Sequence, residues 1–125
     1  MLDVFLVPEI TVEAKGESTP IQLGAAAGKH YLLTLAITKI VEQESLDVSV
    51  WGSADGQDWG TKPLTAFPQK FYTGVYELLL DLSGRPEIQH LKVQWAVSRW
   101  GVGDPKPHFS FLAKLQEVGA GARVA

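Results

Sequence analysis

The chain has no cysteine among its 125 residues. Disulfide bracing, thiol catalysis and cysteine-ligated zinc are therefore all excluded. Basic charge is also scarce. Eleven lysines and arginines against 14 acidic residues leave a net charge of -3. That balance offers no electrostatic footprint for a phosphate backbone, so no nucleic-acid partner is expected. No apolar run approaches the ~18 residues of a membrane span. The N-terminal MLDVFLVPEITVEAKG lacks a basic start, and its apolar run breaks at Pro8. Neither a signal peptide nor a membrane partner is expected.

Histidine is sparse, and His30, His90 and His108 form no short ligand spacing. No G-x-S-x-G elbow occurs. Gly24-Ala25-Ala26-Ala27-Gly28-Lys29 looks like a phosphate loop only superficially. It has three residues between the glycines instead of four, His30 follows the lysine, and a strand follows that. No catalytic residue, metal site or cofactor is expected.

What the chain has is alternation. With 46% hydrophobic and 10% aromatic residues, it can fill one core. Tyr31, Leu33, Leu35 and Ile37 alternate with Leu32, Thr34, Ala36 and Thr38. Leu46, Val48 and Val50 alternate with Asp47, Ser49 and Trp51. Leu91, Val93, Trp95 and Val97 alternate with Lys92, Gln94, Ala96 and Ser98. A period of two puts alternate side chains on opposite faces of a strand. Strands are expected near 2–7, 9–14, 20–23, 30–41, 46–53, 62–67, 73–82, 88–99 and 108–117. Residues 111–118 also fit a helical stripe through Phe111, Leu115 and Val118, but strand is preferred. Pro8 has no N–H for a ladder, so it demands a bend or an edge position. These features imply an all-β, single-domain antiparallel β-sandwich over 1–118, with a flexible tail at 119–125.

Between two of these runs lies Ser53-Ala54-Asp55-Gly56-Gln57-Asp58-Trp59-Gly60. Two aspartates and a tryptophan so close suggest a site. Glycoside hydrolysis, however, needs carboxyl groups facing each other roughly 5–9 Å apart, one with a raised pKa. Calcium prefers several oxygen ligands at regular spacing, which the segment lacks. A hairpin accounts for more residues: Asp55 binds turn amides, Gly56 takes positive φ, and Trp59 folds back over apolar surface. The pattern S-x-D-G-x-x-W after a strand, from Ser53 to Trp59, resembles the hairpin of discoidin-like, galactose-binding β-sandwich domains. The Asp-box of sialidases, S-x-D-x-G-x-x-W, needs one more residue before its glycine and does not match. The resemblance implies a jelly-roll or galactose-binding-like sandwich in which Ser53, Asp55, Gly56 and Trp59 are structural.

The remaining signal is aromatic. Trp95 is in phase with Leu91, Val93 and Val97 and is expected in the core. Trp51 and Trp100 are in phase with polar residues, while Phe71, Tyr72 and Tyr76 cluster in FPQKFYTGVY. Together with Arg99, these form a candidate interface or ligand platform. The expected partner is protein, either copies of the chain or a larger assembly such as a virion, tail or filament. A glycan stacked on the aromatic rings is the alternative.

Overall fold

The computed structural model describes residues 3–40, 44–70, 72–99 and 109–118. Nine strands follow in order: β1 (Asp3–Val12), β2 (Gly16–Glu17), β3 (Ile21–Gln22), β4 (His30–Ile40), β5 (Glu44–Ser53), β6 (Thr65–Ala66), β7 (Gly74–Asp81), β8 (His90–Arg99) and β9 (Phe109–Val118). Phe71, Trp100, the loop before β9 and the expected tail lie outside the described residues.

Alternation in the chain becomes two faces per strand. In β4, Tyr31, Leu33, Leu35 and Ile37 are buried, and the residues between them are half-buried or exposed. In β9, Phe109, Phe111, Ala113 and Leu115 are buried. The strand reading of 111–118 holds because each inward residue meets β4 in register, with Leu33 opposite Leu115 and Leu35 opposite Ala113.

Every strand pairing is antiparallel. One sheet has the order β1-β9-β4-β7; the other has β2-β8-β5-β6, with β3 also paired to β8. The pairings are nested. The first strand joins the last, β2 and β3 share the edge of β8, β4 joins β7 and β5 joins β6. Taking β2 and β3 as one interrupted strand, this is a long hairpin rolled into two facing sheets, which is the jelly roll.

The core lies between the sheets. Tyr31, Leu33, Leu35, Phe109, Phe111 and Leu115 from one sheet face Leu46, Val48, Val50, Leu91 and Val93 from the other. Gly52 permits the closest approach at one end, because a Cβ there would lie 2.6 Å from Leu64 Cδ1 and 2.9 Å from Ile88 Cγ2. The Tyr31 hydroxyl donates to the Ala26 carbonyl, so this fully buried ring does not strand a polar group.

Several boundaries differ from expectation. The separate strands at 2–7 and 9–14 are one strand, β1. Pro8 sits inside it, and register shifts fall between Phe5 and Val7 and between Val7 and Ile10. The extra residues there turn both Leu6 and Val7 inward, breaking the alternation. This is tolerated because β1 is an edge strand, where a missing N–H orphans no partner. The strand expected at 20–23 contracts to β3, the unexpected β2 precedes it, and the strand expected at 62–67 contracts to Thr65–Ala66. Trp95 faces inward, but it is half-buried at the margin of the core. Its ring meets Phe111 edge-on at 5.6 Å and covers Gly16, which pairs with it.

Phe111 carries contacts from both sheets and is fully buried. Phe111→Ala should cost about 3–5 kcal/mol, read as a lower urea midpoint at unchanged m-value.

Candidate interaction surface

The hairpin after β5 is held by its own side chains. Ser53 is buried, and its Oγ accepts from the Gly56 N–H at 2.9 Å and the Asp55 N–H at 3.2 Å. The same hydroxyl donates to Asp55 Oδ1 at 3.0 Å. Asp55 Oδ1 also accepts from the amides of Gln57 at 2.8 Å and Asp58 at 2.9 Å. Asp58 Oδ1 in turn accepts from Gly60 N at 3.0 Å. Gly56 has φ 81°, a conformation that β-branched side chains resist. The amides of Asp58 and Gln57 and the Ser53 hydroxyl pull the Asp55 carboxyl down to about 2. A general acid would need the opposite shift.

Trp59 folds back onto the second sheet, where its ring meets charge. Lys92 Nζ lies 4.6 Å from its ring centroid and 2.6 Å from Glu17 Oε2. Lys92 is only 8% exposed, although it points to the outer face of the second sheet. The ring and the carboxylate together offset the loss of water around the ammonium. Trp51 pairs in register with Lys92 on that face, and its indole N–H donates to Ser49 Oγ at 2.9 Å. An open depression of about 460 Å³ lies beside them, lined by Glu17, Asp47, Ser49, Ala66 and Gln94 among others. The middle of this depression is a row straight across the sheet, because Glu17 pairs with Gln94, Gln94 with Ser49 and Ser49 with Ala66.

The other candidate residues lie elsewhere. Tyr72 is 73% exposed in the segment before β7. Tyr76 points inward from β7, half-buried, with its hydroxyl donating to the Tyr72 carbonyl at 3.2 Å and Lys70 Nζ 3.9 Å from its ring centroid. Arg99 ends β8 opposite Glu44. Phe71 and Trp100 lie outside the described residues. The structure thus places Trp51 on one sheet and Tyr72 and Tyr76 at the edge of the other; it does not bring them together.

An apolar surface forms where no aromatic run announced one, on the outer face of the first sheet. The register sets Leu112, Ala36 and Val75 in one outward row and Gln116, Leu32 and Leu79 in another, with the polar row of Lys114, Thr34 and Glu77 between them. Val75 is 68% exposed and Leu79 36%, while Phe5, on β1 of the same sheet, is 53% exposed. Charge there comprises Glu77, Glu9 bonded to the Thr38 hydroxyl with Lys39 beside it, the Lys114–Asp3 pair at 3.0 Å and the His30–Asp81 pair at 3.3 Å. The Asp81 carboxyl is lowered mainly by hydrogen bonds from Ser83 and secondarily by His30. The phase of Val75, Glu77 and Leu79 was readable in GVYELLLD. Which phase faced outward was not, because both contain leucine.

The class defined here is a jelly-roll β-sandwich with a self-bonded hairpin and exposed apolar rows on one outer sheet face. No family model matches the chain, and no curated protein matches it. Among solved structures, it is similar to a chain in the structure of infectious bursal disease virus Gx strain. The TM-score is 0.60 and the identity 10%, over 98% of this chain. This chain spans about a third of that one, 32% of its length. The likeness is one of fold.

The Asp55 carboxyl yields a pH prediction. Its folded value lies below its ordinary one, so the stabilisation is full above the ordinary carboxylate range. It is lost as pH falls towards about 2. The urea midpoint of the wild type should therefore fall more steeply than that of Asp55→Asn between about pH 4 and about pH 2. Gly56→Val should cost about 1–3 kcal/mol through backbone strain, since the nearest atoms to a Cβ there, in the His90 ring, lie at an ordinary 3.5 Å.

Proposed function

We propose that the chain is a non-catalytic structural module that packs against copies of itself through the outer face of its first sheet. The observation that carries this reading is the exposed apolar set of Val75 and Leu79 beside Leu32, Ala36 and Leu112. Burying such a patch removes apolar surface from water at roughly 25 cal/mol per Å². The shared fold with a chain of a virus structure supports the reading at the level of architecture. A glycan platform would need aromatic faces presented side by side, whereas Trp51 is half-buried and bonded to Ser49, and Tyr72 belongs to the other sheet. The carboxylates at Asp55 and Asp58 are engaged in turn geometry, which favours a structural role for them over an acid–base one.

Sedimentation of the purified protein tests the proposal. The expected result is a main species larger than a monomer. Val75→Glu should shift it towards monomer while changing the unfolding free energy by no more than about 0.5 kcal/mol, because Val75 is mostly exposed. A protein that stays monomeric at every concentration overturns the reading.

A further inference from the structure

The four sheet edges are not alike. β1 is interrupted by Pro8 and two register shifts. The β2–β3 edge is broken into two-residue pieces, with Pro20 between them. β6 is two residues long, flanked by Pro63 and Pro68. Each device blunts strand addition. β7 has none of them. It runs eight residues from Gly74 to Asp81 without proline, and pairs with β4 without a register shift. Among the described residues, no strand pairs along its other side.

The direction of its amides follows from one bond. Leu82 N–H donates to the Lys29 carbonyl at 2.9 Å, continuing the β4–β7 register by one residue. Backbone groups alternate sides along a strand. Leu82, Leu80, Leu78 and Tyr76 therefore aim their N–H and C=O groups at β4. Asp81, Leu79, Glu77 and Val75 aim theirs at the open edge. These same four residues carry the outward side chains, including the exposed Val75 and Leu79.

We propose that β7 pairs antiparallel with β7 of a second copy about a two-fold axis at Leu78, joining two four-stranded sheets into one. The proposal rests on the assembly reading above and adds to its face contact a second contact, edge to edge. Charge excludes two registers, and the completeness of edge pairing favours a third. Centring on Glu77 sets Glu77 against its own copy, and centring on Leu79 sets Glu77 against Asp81 of the copy. Like charges directly opposite are destabilising. Centring on Leu78 sets Glu77 opposite Leu79 and Val75 opposite Asp81. It also pairs only residues whose amides face the edge, two hydrogen bonds to a pair, so all the edge groups from Val75 to Asp81 find partners. Inward residues stay inward: Tyr76 meets Leu80 and Leu78 meets itself, so the two cores abut without exposing either. The contact is isologous and closes at two copies.

The absence of native cysteine makes a clean test possible. Glu77→Cys and Leu79→Cys proteins are mixed and mildly oxidised, and the covalent products separated. The expected product is a disulfide between the two different variants, in excess over either variant joined to itself. Alongside, Glu77→Pro removes one edge-directed N–H and leaves the β4 ladder untouched. It should weaken self-association by at least about tenfold while keeping the strand-type circular dichroism spectrum. Should that variant fail to fold, the cysteine pair still decides. Association that survives Glu77→Pro, with no preference for the mixed disulfide, overturns the β7 pairing and leaves the assembly reading standing. Pairing of Glu77→Cys with itself as readily as with Leu79→Cys overturns the register, and with it the axis at Leu78. A protein that is monomeric throughout overturns both the pairing and the assembly reading.

Discussion

The pairing of β9 between β1 and β4 is the constraint from which the rest of the molecule follows. Its inward residues, Phe109, Phe111, Ala113 and Leu115, form the middle of the core, and each is matched in register on both sides. Without β9, the first sheet would split into an isolated strand and a two-stranded ribbon, neither stable alone in water. The pairing joins residues about a hundred positions apart, such as Val12 with Phe109 and Asp3 with Gln116. Loop closure must therefore precede most of the stabilising contacts, which is the kinetic signature of slow, non-local β folds.

The rolled hairpin also divides the surface into two unlike outer faces. The second sheet carries Asp47, Ser49, Lys92, Gln94 and Glu17, and Asp47 accepts from the Gln69 amide. Lys92 meets Glu17, and the hairpin folds Trp59 over it. The first sheet carries leucine, valine and alanine outward in rows on either side of the polar row Lys114, Thr34 and Glu77. A sheet buried on one side normally shows polar residues on the other. The departure lies in the very sheet that holds the unprotected edge, so face and edge offer two contacts on one sheet.

The SADGQDWG hairpin illustrates how chemistry that suggests a site can be used up by geometry. Asp55 spends one oxygen on three donors within its own turn. Its low pKa follows from those donors and makes it a poor proton carrier near neutrality. Trp59 gains a charged neighbour because Lys92, in register with Trp51, emerges beneath it. That proximity is set by strand register.

Local pattern determined much of this protein. Period-two alternation marked β4, β5 and β8 and identified most of their buried residues, since a strand half-buried against a core must alternate. Asp55-Gly56 marked the turn, because few residues accept its backbone. Pro8 announced an edge or a bend, and both are present. Tertiary structure alone decided the rest. Leu6 and Val7 both turn inward because a bulge on β1 must stay in register with β9. Trp95 sits at the margin because β8 there is covered only by the two-residue β2. In GVYELLLD either phase could have faced the core, and the pairing of Leu33 with Leu78 chose the one that leaves Val75 and Leu79 outside. Alternation is a property of neighbours along the chain. Which face is inside depends on strands far away in sequence, and so does the existence of a free edge.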